Sequence, residues 1–254
     1  MLEARALTKY YSAIQAVRSV SFTLERGGVL GLLGPNGSGK STTVSILAGL
    51  LDPSGGTVRL DGEDVRDDML AYKARIGYVP EEAVLYTYLT GPEYLSLVGQ
   101  LRGLPPTRLQ ARIDGFMSLF GLQDDVEAPL SAYSKGMRQK VLISAALLHD
   151  PAIVILDEPN SGLDVTTTLV LRSLVQTLAA EGRMVVYSSH VLETVERVAS
   201  DVIILNDGRV VAHDSVSRLR DLLELPSLEQ VFRQLVIETD IDRIARDLVA
   251  VMKM

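Results

Sequence analysis

Cysteine is absent from this 254-residue chain. A disulfide framework, a thiolate metal site and a cysteine nucleophile are therefore all excluded. Long apolar runs are missing too, because the most apolar stretch, from Val141 to Leu156, is interrupted by His149-Asp150-Pro151. A transmembrane helix needs about 20 largely apolar residues. The first five residues contain no such run and are interpreted as mature protein, not as a signal peptide. Any role at a membrane is expected to depend on a partner.

Basic residues are also in short supply: the formal net charge is -7 at pH 7. A protein that binds nucleic acid without sequence preference normally has a basic surface, so this balance argues against DNA or RNA as a partner. Hydrophobic residues, in contrast, make up 47% of the chain. That content is enough for a large buried core, either as one sizeable domain or as one domain with a subdomain.

The hydrophobic pattern changes along the chain. Residues 1–33 are predicted to form strands, and the continuous apolar run at 29–33 is typical of a buried strand in a parallel sheet. From about residue 81 to 149 the apolar spacing is helical. Strands and helices then alternate over residues 152–205, which predicts a parallel sheet covered on both faces. Asn206-Asp207-Gly208 predicts a hairpin turn after that region.

A glycine-rich segment at residues 34–41 fits the pattern G-x-x-x-x-G-K-[ST] between an apolar strand and a predicted helix. Glycines let backbone N–H groups point at phosphate oxygens, and the N-terminus of the following helix adds a partial positive charge. Lys40 supplies a full charge to the β- and γ-phosphates, and the Ser41 hydroxyl is placed to ligate Mg²⁺. The predicted ATP-binding residues of this segment are Gly34, Pro35, Asn36, Gly37, Ser38, Gly39, Lys40, Ser41 and Thr42.

Two carboxylates, Asp157 and Glu158, end the apolar strand that begins at Ile153. Such a pair often marks a solvated strand end, but unpaired buried charge is costly, and a Mg²⁺ at the carboxyl edge of the sheet would compensate it. Neighbouring strand residues point in opposite directions, so the two acids are expected to have different roles. We expect Asp157 to hold the Mg²⁺ shell and Glu158 to polarise the attacking water.

The segment from Leu130 to Gln139 resembles the signature segment of ABC ATPases. The resemblance covers nearly the whole chain and preserves the order of the family's motifs. In this sequence they are Tyr11, the phosphate loop, Glu81, the signature, Asp157-Glu158, Ser161 to Asp164, and His190. A shared order of this many motifs is far more specific than any one of them.

The resemblance implies a head-to-tail dimer, in which each ATP lies between one subunit's phosphate loop and the other's signature. Ser134 can cap the helix that follows it. Gly136 falls in the first turn of that helix, where glycine costs up to about 1 kcal/mol relative to alanine. Such a misfit is expected where another group approaches the backbone closely. Ser134 and Gly136 are therefore assigned to the ATP of the second subunit, in a homodimer or a heterodimer.

Three more residues receive roles from the resemblance alone. His190 is expected to contact the γ-phosphate and to position the water, although a lone histidine after a strand is more often structural. Tyr11 corresponds to the aromatic residue that stacks on adenine, with Tyr10 and a packing role for Tyr11 as open alternatives. Glu81 stands where most members have a glutamine that links the Mg²⁺ site to the membrane partner. A carboxylate can ligate a metal but cannot donate a hydrogen bond when ionised.

Two departures from the family pattern point to one branch of the family. The signature reads Tyr-Ser-Lys-Gly-Met at residues 133–137, where the consensus is Leu-Ser-Gly-Gly-Gln, and Glu81 replaces the usual glutamine. Both variants, with residues 227–232, resemble the ABC-2-type exporter branch, whose ATPase and membrane subunits are separate chains. The function implied is an ATPase subunit, cytoplasmic and held at the inner face of the membrane by an integral membrane partner. Alternatives are an importer ATPase, a soluble ABC ATPase and a nucleotide-dependent switch without useful turnover.

The implied fold is an α/β P-loop NTPase core of the RecA-like type, with a mostly parallel sheet, an antiparallel β subdomain and an inserted α-helical subdomain. We assign the core and the β subdomain to residues 1–80 and 150–225. The helical subdomain with the signature then covers residues 81–149, and residues 226–254 form a helical tail. Around Glu81–Arg102, the helical subdomain is expected to dock on the membrane partner.

Overall fold

The computed structural model describes residues 1–82, 84–223, 225–236, 248 and 251–252. Of the predicted helical tail at 226–254, one helix, Leu228–Val236, is described. Most of the remaining tail lies outside the described residues, so that part stays a prediction.

Strands and helices follow one another in the order that the hydrophobic pattern predicts. The strands are β1 Leu2–Tyr11, β2 Ile14–Leu24, β3 Val29–Leu33, β4 Gly55–Leu60, β5 Glu63–Asp64, β6 Ile76–Val79, β7 Ile153–Asp157, β8 Met184–Ser188, β9 Asp201–Asn206 and β10 Arg209–Ser215. The helices are α1 Lys40–Leu47, α2 Met69–Ala74, α3 Gly91–Leu101, α4 Pro106–Leu119, α5 Lys135–Leu147, α6 Val165–Ala180, α7 Leu192–Val198, α8 Val216–Leu223 and α9 Leu228–Val236.

The strands form two sheets. The smaller sheet has the order β2-β1-β4-β5 and is antiparallel throughout. The larger has the order β10-β9-β3-β8-β7-β6. Its neighbours are parallel except for β10, which returns from β9 through the predicted hairpin. Every residue of β3, β7 and β8 is buried, as expected of strands with helices on both faces.

Apolar packing divides into three clusters. One fills the space between the antiparallel sheet, α1 and one face of the parallel sheet. A second joins the other face of the parallel sheet to α5, α6, α7 and α9. The third lies among α3, α4 and α5. Helix α5 contributes to two of them, with Leu142 and Ile143 in the second and Val141 and Ala145 in the third. This arrangement confirms the mixed α/β fold.

Some elements were not predicted from the sequence. The edge strand β6 pairs in parallel with β7 but has only four residues, too few for a periodic pattern. Helices α2 and α8 have six and eight residues and were also missed. Among the described residues, none of the helices is both long and apolar enough to cross a bilayer.

Candidate nucleotide-binding site

Three neighbouring strands carry the predicted site residues at their carboxyl ends. In the order β3-β8-β7, β3 leads into the glycine-rich loop, β8 into Ser189 and His190, and β7 into Glu158. A cavity of about 750 Å³ opens there. Its lining consists of Gly34, Pro35, Asn36, Gly37, Gly39, Lys40, Ser41, Thr42, Glu81, Glu158 and His190, together with Ala16 and Phe232. Residues far apart in sequence are thus brought to one cleft at a sheet edge, where ligands of open α/β folds bind.

The start of α1 explains the glycine at position 39. Gly39 is the N-cap of α1, with φ at 98°, a left-handed conformation that side chains disfavour. A Cβ atom there would stand only 2.5 Å from the Ala16 carbonyl oxygen. The helix can therefore begin at Lys40, with its free N–H groups at the cavity, only if residue 39 is glycine.

Lys40 is buried beneath the loop that precedes it. Its Nζ donates to the Gly34 carbonyl oxygen at 2.7 Å and to the Pro35 carbonyl oxygen at 3.1 Å. Burial lowers the pKa of Lys40, and the nearby carboxylates of Glu158, Asp157 and Glu81 oppose that shift. The lysine thus places a positive charge at the base of the cavity, against the carboxylates.

Asp157, the last residue of β7, is 3% exposed. Burial raises its pKa to about 6, the Ser188 hydroxyl and the charge of Lys40 oppose this shift, and the negative charges of Glu81 and Glu158 add to it. Its Oδ1 has no hydrogen-bond partner within the part of the chain that the structure describes. Because buried polar atoms are normally satisfied, an unpartnered carboxylate oxygen beside a phosphate loop fits a cation ligand.

Glu158 leaves the strand through a left-handed turn, with φ at 46°. Its backbone N–H donates to the Ser188 carbonyl oxygen at 3.0 Å. Its carboxylate Oε2 lies 2.9 Å from Nδ1 of His190 and accepts from the Ser189 hydroxyl at 3.3 Å. A non-glycine residue held in this conformation is uncommon and is often found at functional sites. The sequence assigned Glu158 and His190 to one reaction, but it did not predict their direct contact.

Several predicted residues do not line the cavity. Tyr11 is 47% exposed, and Tyr10 at 49% is no better placed. The cation that faces the Tyr11 ring is Lys9, with Nζ 5.6 Å from the ring centroid. Ser38 is buried, and its hydroxyl lacks a hydrogen-bond partner among the described residues, as Asp157 Oδ1 does. The roles of Tyr11 and Ser38 toward ATP stay predictions.

The signature residues also lie outside their own subunit's cavity, at the start of α5. The Ser134 side chain caps α5 by accepting from the Met137 N–H at 3.2 Å. A Cβ atom at Gly136 would stand 2.6 Å from the Gly162 carbonyl oxygen. The close approach expected at this glycine therefore exists already within one chain, which the sequence did not predict.

Two residues of the cavity wall were missed, Ala16 and Phe232. Phe232 belongs to α9, whose apolar face packs on the second cluster beside α7. Helix α7 begins two residues after His190 and carries Glu196, which accepts from Arg220 Nη1 and from the Leu228 N–H, both at 3.2 Å. Apolar residues at helical spacing predict a buried face for α9. They do not predict that Phe232 lines the same cavity as the glycine-rich loop, because that depends on how α9 packs in the fold.

Comparison with known proteins identifies the family of this chain. A family profile described as ABC transporter matches residues 17–161. The ABC transporter ATP-binding protein NatA of Bacillus subtilis is 38% identical over 220 residues, which cover 86% of this chain and 89% of NatA. The Nod factor export ATP-binding protein I of Ralstonia nicotianae is 32% identical, over 84% of this chain and 66% of that protein.

Solved structures agree with the sequence comparisons. An ATP-binding subunit of an ABC transporter superposes with a TM-score of 0.86 at 33% identity, over 92% of this chain and 99% of that one. A dimeric ATP-binding cassette with bound ADP and phosphate, in a post-hydrolysis state, gives a TM-score of 0.78 at 25% identity, over 85% and 98%. The chain therefore belongs to the ATP-binding proteins of the ABC transporter family, and it is an ATPase with the P-loop NTPase fold.

Proposed function

We propose that this chain is the ATPase subunit of an exporter and works as a head-to-tail dimer on a separate membrane protein. The position of the signature is the observation that supports a dimer. Ser134 and Lys135 are exposed at the start of α5, outside the cavity that their own subunit offers to ATP. A second subunit would bring this helix start, an anion-binding feature, to the open side of that cavity. A structure with a related fold is dimeric.

Within each cavity, the loop at 34–42 and Lys40 would bind the phosphates of ATP. Asp157, with the Ser41 hydroxyl and Glu81, would hold Mg²⁺, and the unpartnered Oδ1 of Asp157 supports that assignment. The ion would supply positive charge to the phosphate oxygens. Tyr11 is proposed to stack on adenine, for which its exposed ring leaves room.

Hydrolysis needs a base for the attacking water, and Glu158 is the best-placed group. The water oxygen bonds to the γ-phosphorus, the bond to the bridging oxygen of ADP breaks, and the water proton passes to the Glu158 carboxylate. His190, whose Nδ1 lies 2.9 Å from Oε2 of Glu158, holds that carboxylate in place. The histidine side chain is 71% exposed, so it can also reach a phosphate in the cavity.

Docking on the membrane subunit is assigned to the segment that starts the helical region. Exposed apolar and aromatic side chains cluster there, among them Val84, Tyr86 and Tyr88. Next to them a cavity of about 260 Å³ is lined by Pro80, Val84 and Tyr94, among others. Contiguous exposed apolar surface of this kind marks interaction sites.

The proposed units are the core at 1–80 and 150–225, the helical subdomain at 81–149 and the tail at 226–254.

Export is favoured over import by Glu81, by the signature variant and by residues 227–232. The Nod factor export protein among the relatives supports the same direction. The proposal places the subunit in the cytoplasm, on the inner face of the cell membrane.

Recovery of the tagged chain from solubilised membranes tests the partner. We expect a multi-spanning protein to be recovered with it, because the docking surface of Val84, Tyr86 and Tyr88 needs a partner. Tyr88→Glu should reduce that recovery while ATP binding is kept. Leu119→Glu is the control, because Leu119 is a similarly exposed apolar residue at the end of α4, outside the proposed docking segment at 81–102. Recovery with ribosomes or DNA instead would overturn the transporter proposal.

A further inference from the structure

The loop that follows Glu158 rests on the signature end of α5. The Lys135 ammonium donates to the Ser161 hydroxyl at 2.6 Å. One turn further along α5, the buried Gln139 side chain donates to the Pro159 carbonyl oxygen at 3.2 Å. Between these two contacts, the missing side chain of Gly136 lets the Gly162 carbonyl oxygen approach. The first two turns of α5 and residues 159–162 are therefore joined by three contacts.

Ser161 also touches the proposed base. Its backbone N–H donates to the Glu158 carbonyl oxygen at 3.2 Å and closes the turn in which Glu158 has φ at 46°. The backbone N–H of Glu158 in turn donates to the Ser188 carbonyl oxygen of β8. The direction of the Glu158 carboxylate thus depends on how firmly Ser161 is held. A strained backbone persists only where its surroundings hold it in place.

We propose that Lys135 is a positioning residue for hydrolysis, which fixes Glu158 through Ser161. An ammonium group has three N–H donors, and the Ser161 hydroxyl takes one of them. The others face solvent, because Lys135 is exposed at the start of α5. The inference rests on the proposed function at one point: in the dimer, these donors and the start of α5 meet the partner's ATP.

A double-mutant cycle on the full chain tests this link through steady-state ATP hydrolysis. Lys135→Met and Ser161→Ala should each lower kcat by roughly tenfold, because misplacement of a catalytic group is costly. KM should change less than about twofold in Ser161→Ala, because Ser161 is not one of the proposed ATP-binding residues. The double variant should be no slower than the slower single variant, because both changes break the same contact. Lys135→Arg should restore most of the rate, since it keeps a charged donor. Ser118→Ala, an exposed serine on α4, is the serine control.

Two outcomes would overturn the inference. One is a double variant whose loss equals the product of the single losses, which means that Lys135 and Ser161 act independently. The other is an unchanged kcat in Lys135→Met. Thermal unfolding of each variant distinguishes a folding defect from a positioning defect. In a folding defect, the hydrolysis rate and the melting temperature fall together. A wild-type chain that binds ATP but neither dimerises nor hydrolyses it would contradict the proposed function instead, before any variant is compared.

Discussion

Replacing Asp157 by asparagine should stabilise the protein and abolish its Mg²⁺-dependent turnover. The Asp157 carboxylate is buried with a pKa of about 6, against an ordinary value of 3.8. Each pKa unit corresponds to about 1.4 kcal/mol, so ionised Asp157 costs the ligand-free protein up to about 3 kcal/mol. Asparagine has nearly the same shape without the charge. Its amide can also donate to the hydroxyl of Ser188, which pairs with residue 157 across β7 and β8.

The sign of the pH dependence follows from the raised pKa. Between about pH 4 and pH 6, the native state binds the Asp157 proton more tightly than the unfolded state does, so wild-type stability decreases as the pH rises through this range. Above pH 7, Asp157 is ionised in the native state and destabilises it by the full amount given above. Asp157→Asn should therefore exceed the wild type by about 2–3 kcal/mol at pH 8, and the difference should shrink toward pH 4.

Urea unfolding of both proteins without nucleotide, at pH 4.5 and pH 8, measures this difference. Asp124→Asn is the control, because Asp124 is exposed on the surface, and its effect should be small at both pH values. Adding Mg²⁺ and ATP should stabilise the wild type more than Asp157→Asn. A variant that is no more stable than the wild type at pH 8, or equally more stable at both pH values, would refute a raised pKa of Asp157.

Three other variants test the cavity. Lys40→Ala should lower ATP turnover by roughly 10²–10³-fold through loss of the buried charge, and near-normal activity would contradict the phosphate site. Glu158→Gln should lower turnover by roughly 10²–10⁴-fold while ATP stays bound and a stable dimer accumulates, as measured by light scattering; unchanged turnover would exclude Glu158 as the base. Phe232→Ala should raise KM for ATP about fivefold and affect kcat less, because it removes about 1 kcal/mol of apolar wall. An unchanged KM would mean that Phe232 only packs.

Local chemistry made the glycine-rich loop and the helix that follows it predictable from the sequence. The loop at 34–41 is contiguous, and its glycines, lysine and serine have a fixed order, so no tertiary information was needed to find it. The buried apolar runs of β3 and β7 were predicted for the same reason, because a strand covered on both faces leaves an unmistakable composition. Neighbouring parallel strands then brought the loop and Glu158 together, as the strand–helix alternation predicted.

Contacts between distant segments were not predictable in this way. Nothing local relates Phe232 to the loop at 34–41, and the two meet only because α9 packs beside α7. The same holds for Glu158 and His190, whose contact depends on the left-handed turn at residue 158. Gly136 is the instructive case: the sequence indicated a close approach at this glycine and assigned the residue to the ATP of a second subunit, which stays a prediction, but it did not indicate a contact within the chain. The approaching group is the Gly162 carbonyl of the same chain.

The contact between Gly136 and the Gly162 carbonyl gives the signature segment a second role, within its own subunit. If the signature only contacted the partner's ATP, an exposed helix N-terminus would be enough. Contacts between the signature and the catalytic residues of its own subunit would not be needed. Here the first two turns of α5 contact residues 159–162 through Lys135, Gly136 and Gln139, and that loop follows the proposed base. The dimer proposal places one end of this unit against the partner's ATP and leaves Glu158 at the other end, beside its own. Lys135 should therefore affect hydrolysis at its own subunit's site, through Ser161 and Glu158, as well as contact the partner's ATP.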